Sequence, residues 1–83
     1  MPYQRLANAR QKAVGAKQTM KAVEKGRALV VYFANDAERH VTEPIVKTCV
    51  AKDIPIVKAD NMKNLGKACR IEVRCAVAAV IED

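Results

Sequence analysis

Seven consecutive residues, Gly15-Ala16-Lys17-Gln18-Thr19-Met20-Lys21, concentrate the polar chemistry of this chain. A turn glycine leads directly into a helical pattern. Lys17 and Gln18 fall at the helix start and Lys21 one turn later, so Lys17 and Lys21 share a face. The amides of a first helical turn have no partner within the helix and favour phosphate. Gln18 offers both a donor and an acceptor, and lysine can donate to O6 and N7 of guanine. Such an assembly could read base edges and hold a nucleic-acid backbone at once. The competing reading is an ordinary solvated helix face, because basic first turns are common.

A second stretch, Leu65-Gly66-Lys67-Ala68-Cys69-Arg70-Ile71-Glu72-Val73-Arg74, places two apolar residues in a basic loop. An apolar wedge beside positive charge suits an unstacked RNA base, since RNA readers favour splayed nucleotides. Alternatively, Ile71 and Val73 simply turn into the core.

Other chemistries find few residues. The one histidine, His40, lies beside Glu38 and Arg39 in a predicted loop, where a surface role is the simpler reading. Gly15, Gly26 and Gly66 are too far apart for a phosphate-cradling loop, and no paired carboxylates mark a cleft. Cys49, Cys69 and Cys75 match no zinc spacing and contain no CxxC pair. Cys49 and Cys69 sit on apolar helix stripes and Cys75 opens an apolar run, so all three read as buried small hydrophobes. No enzyme activity, cofactor or metal is expected.

Charge supports the two basic stretches. The 83 residues carry 15 Lys+Arg against 9 Asp+Glu, a net +6. Residues 1–27 hold seven basic groups against Glu24 alone, and residues 58–74 hold five against Asp60 and Glu72. The segment between them is slightly acidic. A basic balance attracts polyanions of any kind and says nothing about fold. Nothing resembles a signal peptide, and no apolar run approaches the roughly 20 residues that span a bilayer. A cytoplasmic protein with reduced thiols and no membrane partner is the expectation.

The elements that must position these residues follow from apolar spacing. A short helix is predicted from Tyr3 to about Gln11, then a brief strand at Lys12-Ala13-Val14. A second helix spans Lys17 to Lys25, with Gly26 as the residue that ends it. Leu29-Val30-Val31-Tyr32-Phe33-Ala34 reads as a buried central strand. A third helix is predicted to start around Thr42-Glu43-Pro44 and to close at Asp53, with a strand at Ile54-Pro55-Ile56-Val57. Asn61 is an N-cap for a fourth helix, Met62 to Cys69. A last strand runs from Cys75 to Ile81. The alternation predicts one domain, residues 1–83, folded as a three-layer α/β/α sandwich.

In this order the segments resemble a family. Residues 15–26 resemble the signature helix of the kink-turn-binding ribosomal proteins of the archaeal "L-seven-Ae" and eukaryotic "L-thirty-e" type. Leu65-Gly66-Lys67-Ala68 and the following Ile71-Glu72-Val73 resemble their second signature. The likeness spans nearly the whole chain and is greatest to short bacterial members. It implies a mixed four-stranded central sheet and binding to kink-turns, RNA bends built on tandem sheared G·A pairs beside a bulge. By the same resemblance Lys17, Gln18 and Lys21 contact the guanines, Gly15 admits the backbone, and Ile71, Glu72, Val73 and Arg74 cover the bulge. The implied partner is a kink-turn in ribosomal RNA, a riboswitch or a similar RNA, bound by a monomer, with the ribosome as a further implied partner. Three features depart from the family pattern: Lys17-Gln18 replaces a common Asn-Glu, Arg70 stands where a helix-ending glycine is usual, and Arg74 where a small residue is usual. The alternative function is a protein-interaction module on the same fold, which an acidic rather than basic signature helix would favour.

Overall fold

The central strands are apolar at successive positions, whose side chains point to opposite faces, so the sheet must be covered on both sides. The computed structural model, which describes residues 3–83, shows how. Its elements run α1 (Gln4–Asn8), β1 (Gln11–Val14), α2 (Ala16–Glu24), β2 (Val30–Ala34), α3 (Arg39–Ala51), β3 (Ile56–Ala59), α4 (Met62–Ala68) and β4 (Val77–Glu82). The four strands form one mixed sheet in the order β1-β4-β2-β3. β4 pairs antiparallel with both β1 and β2, while β2 and β3 are parallel. The parallel pair needs a crossover, and α3 supplies it.

Two cores flank the sheet. Val30, Tyr32 and Ala34 of β2, with Ala78 and Val80 of β4, pack under α1 and α4 through Leu6, Leu65 and Ala68. Val31, Val77 and Ala79 point to the opposite face, against Ala22 and Val23 of α2 and Ile45 and Cys49 of α3. This is the expected α/β/α sandwich. Tyr3 fastens α1 from outside the helix. Its ring meets Tyr32 edge-on with centroids 6.4 Å apart, and its hydroxyl accepts the Asp60 amide at 2.7 Å.

Three helices end on the same device. In the Schellman arrangement a residue with positive φ follows the helix, and two backward hydrogen bonds satisfy its last carbonyls. Gly26 (φ 69°) does this for α2, Asp53 (φ 58°) for α3 and Arg70 (φ 61°) for α4. Arg27 N–H then donates to Ala22, Ile54 N–H to Cys49 and Ile71 N–H to Gly66.

Several boundaries differ from those read in the sequence. α1 stops at Asn8, because Gln11 is needed to pair with Glu82. α3 starts at Arg39, a turn early, which places His40 in the helix and Pro44 inside it rather than in its first turn. Proline was a misleading start signal here: its missing N–H deprives the His40 carbonyl of a helical partner, and the helix accepts that loss near its exposed beginning. β3 begins two residues later than expected, because Ile54 is consumed by the cap of α3. β4 begins at Val77 rather than Cys75, whose N–H turns back to the Met62 carbonyl.

α4 is held at its start by two side chains. Asn61 Oδ1 accepts the Asn64 amide at 2.7 Å, and Asp36 Oδ1 accepts the Met62 amide at 2.8 Å. Asn61→Ala is expected to destabilise the protein by about 1 kcal/mol, read as a lower urea midpoint with an unchanged slope.

Candidate nucleic-acid interface

Gly15 opens α2 with φ 92°, a backbone region that side chains avoid, and a Cβ there would meet open space. Its N–H donates to the Val77 carbonyl at 2.9 Å, and its carbonyl accepts the Thr19 amide at 3.0 Å. No side chain caps this helix, so the amides of its first turn remain free for an incoming anion. Buried Thr19, Ala22 and Val23 anchor the inner face, which leaves Lys17, Gln18 and Lys21 exposed on the outer one.

Between α2 and the edge strand β1 lies an open groove of about 330 Å³. Gln18, Lys21, Lys25 and Arg27 rim it over a floor that includes Ala13 and Ile81, and no acidic residue lines it. Lys25 and Arg27 were absent from the sequence-based site. Lys25 was legible, because it continues the four-residue spacing of Lys17 and Lys21. Lys17 does not line the groove and stands at the exposed helix start.

The second segment folds against α4. Gly66 is buried within that helix, and a Cβ on it would drive into the Val73 carbonyl oxygen of the loop. The loop therefore rests directly on helix backbone. Ile71 is half-buried and packs toward the α1–α4 core, whereas Val73 is 70% exposed. The two apolar residues thus divide between the roles left open for them: Ile71 anchors the loop and Val73 projects. Glu72 and Arg74 are exposed beside it. Together with Lys63 and Lys67 of α4, residues 71–74 line a cleft of about 480 Å³. Lys63 and Lys67 also escaped the sequence-based site, although their i,i+4 spacing puts both on one face of α4.

The two segments meet. Val77, at the loop's exit into β4, receives the Gly15 amide, and Val14 and Ala78 are paired immediately beyond. The start of α2 and the 71–74 loop are therefore braced by one strand pair. Cys49, Cys69 and Cys75 are all buried and unbridged. Among the described residues no group of three or more His, Cys, Asp or Glu could hold a metal ion. No described helix is long and apolar enough to cross a membrane.

Arg70 occupies a backbone region that costs an ordinary side chain about 1–2 kcal/mol relative to glycine. Arg70→Gly is expected to raise the stability by about 1 kcal/mol, because greater freedom of the unfolded glycine offsets part of the relief. A thermal melt checks this.

A mixed four-stranded α/β/α sandwich, with cationic clefts beside a helix start and an adjoining loop, defines a class of small proteins shaped for a polyanionic surface. The chain belongs to the ribosomal protein L7Ae/L30e/S12e/Gadd45 family, whose description matches residues 3–83. It is 38% identical over 81 residues to an RNA-binding protein of Geobacillus sp. (strain WCH70), covering 98% of this chain and 99% of that one. It is 50% identical over 68 residues to an RNA-binding protein of Caldanaerobacter subterraneus subsp. tengcongensis, covering 82% and 83%. Among solved structures it is similar to the Giardia lamblia 15.5kD RNA binding protein, with TM-score 0.86 and 27% identity over 98% of this chain and 68% of that one. A protein of unknown function from Bacillus halodurans C is also similar, with TM-score 0.82 and 29% identity over 96% and 80%.

Proposed function

We propose that this chain binds RNA as a single domain and selects kink-turns, without making or breaking bonds. The observation that carries the reading is the bracing of the α2 start against the 71–74 loop through the Gly15–Val77 hydrogen bond. One rigid surface then offers base-edge donors on one side and an apolar tip on the other. Lys17, Gln18 and Lys21 address the guanines of the sheared pairs, while Val73, flanked by Glu72 and Arg74, covers the bulge. Gly15 lets the RNA backbone approach the free amides, and Ile71 holds the loop down. Lys25, Arg27, Lys63 and Lys67 add phosphate contacts that position rather than specify. Relatives named for RNA binding support the reading. The setting that fits is the cytoplasm, with a monomer acting on ribosomal RNA or another kink-turn RNA.

Binding of this kind works by selecting a bent conformer that the free RNA already samples. A kink-turn RNA labelled at both ends with a donor and acceptor dye checks it. At magnesium levels too low to fold the RNA alone, adding the protein is expected to bring the ends together and raise energy transfer. Saturable binding that leaves the end-to-end distance of the RNA unchanged would contradict selection of the bent form.

A further inference from the structure

Cys69 and Cys75 bracket the loop of the second cleft, and RNA binding gives neither thiol a task. Both are buried in the core under α1 and α4, at 5% and 3% exposure. Cys69 ends α4, its N–H on the Leu65 carbonyl at 3.1 Å, and Cys75 returns to the same helix, its N–H on the Met62 carbonyl at 3.1 Å. This return brings Cys75 against the helix that carries Cys69, so the two thiols share one buried cluster and act on each other's titration. Cys75 Sγ also donates to the Val77 carbonyl at 3.1 Å. That carbonyl accepts the Gly15 amide as well, so Cys75 sits where the two halves of the interface join. Cys49 lies in the opposite core, remote from the pair.

We infer that Cys69 and Cys75 are a reversible oxidation site, which hydrogen peroxide or a related hydroperoxide closes into an intramolecular disulfide that reshapes the 71–74 loop. The Cys75 thiolate attacks one peroxide oxygen. The O–O bond breaks, an S–O bond forms, and the departing hydroxide takes a proton to leave as water. Cys69 sulfur then attacks Cys75 sulfur, the S–O bond breaks, and the second water leaves with the proton of Cys69. Two thiols and one hydrogen peroxide give one disulfide and two waters. The sulfurs lose the two electrons that the peroxide gains.

The surroundings favour Cys75 as the attacking sulfur. The neighbouring Cys69 thiol, helped by the backbone at Gly15, holds the Cys75 thiol below the usual range although burial pushes it up. The adjoining Cys75 and burial push the Cys69 thiol up, which suits a resolving partner that stays protonated until the second step. Local opening of the exposed loop, which leaves α4 through the strained Arg70, admits the oxidant. The bridge displaces the Cys75 bond to Val77 and pulls on both halves of the interface. Its effect on RNA rests on the function proposed above.

The test treats the folded full chain with hydrogen peroxide, alkylates remaining thiols and digests with trypsin without reductant. Cleavage after Lys67, Arg70 and Arg74 separates Cys69 from Cys75 unless a disulfide joins them. The expected product is residues 68–70 linked to residues 75–83, two hydrogens lighter than the free peptides, with Cys49 alkylated and dithiothreitol reversing the link. Recovery of Cys69 and Cys75 both alkylated, or oxidised beyond a disulfide without linkage, would overturn the site. The oxidised protein is further expected to bind a kink-turn RNA about tenfold more weakly than the reduced one, with recovery on reduction. Linkage with unchanged affinity would overturn the switch. If the reduced protein does not bind kink-turns at all, the function fails, while the linked peptide still decides the oxidation site.

Discussion

Gly66→Ala is expected to destabilise the protein by about 2 kcal/mol, the cost of forcing a methyl group into a packed contact that cannot yield cheaply. The substitution is informative because helix propensity predicts the opposite sign. In a free-standing helix interior, alanine is better than glycine by about 1 kcal/mol. Here the added Cβ meets the Val73 carbonyl, which is backbone and has no alternative rotamer. For a chain of this size, about 2 kcal/mol lowers the melting temperature by roughly 8–16 °C. The loop must lift as the helix accepts the methyl, so Val73 and Arg74 move away from Lys63 and Lys67, and affinity for RNA falls with the stability. An unchanged or raised melting temperature would show that the loop does not rest on α4.

The double variant Gln18→Ala with Lys21→Ala is expected to reduce kink-turn affinity by about 100-fold or more while leaving the melting temperature nearly unchanged. Both side chains are exposed, so the core does not depend on them. Each polar contact to a base edge is worth about 1–3 kcal/mol, and the pair is adjacent on one helix face. Lys21→Ala alone should also flatten the salt dependence of binding by about one unit of slope if the ammonium touches phosphate. Lys47 is a suitable control, since it lines neither cleft and pairs with Glu43 at 3.3 Å. Lys47→Ala should bind as the parent does. Equal losses at Lys47 and Lys21 would reduce the interface to general electrostatic attraction.

Much of this organisation was legible in the sequence, for reasons that differ by element. β2 announced itself because both faces of a central strand are buried, which leaves an uninterrupted run from Val30 to Ala34. α4 was marked by Asn61, whose side chain does cap the helix. The starts of α3 and β3 were misplaced because their signals are tertiary. Pro44 is tolerated inside the helix, and Asp53 takes a positive φ that sequence alone does not require of an aspartate. Arg70 is legible in the sequence as an odd residue at a helix end, and its positive φ gives that oddness a physical content. Within the interface, the residues on the α2 start and the loop were found by their types. Lys25, Arg27, Lys63 and Lys67 were missed because a lysine or arginine on a helix face becomes part of a cleft only when a second element arrives beside it.

The central claim is that this surface selects a kinked RNA rather than RNA in general. The most direct measurement compares the protein's affinity for an intact kink-turn and for the same RNA with its sheared G·A pairs replaced by Watson–Crick pairs, at one stated salt concentration. The account expects the intact motif to bind at least about tenfold more tightly, as loss of even one good base-edge contact requires. Equal affinity for the two RNAs would contradict it.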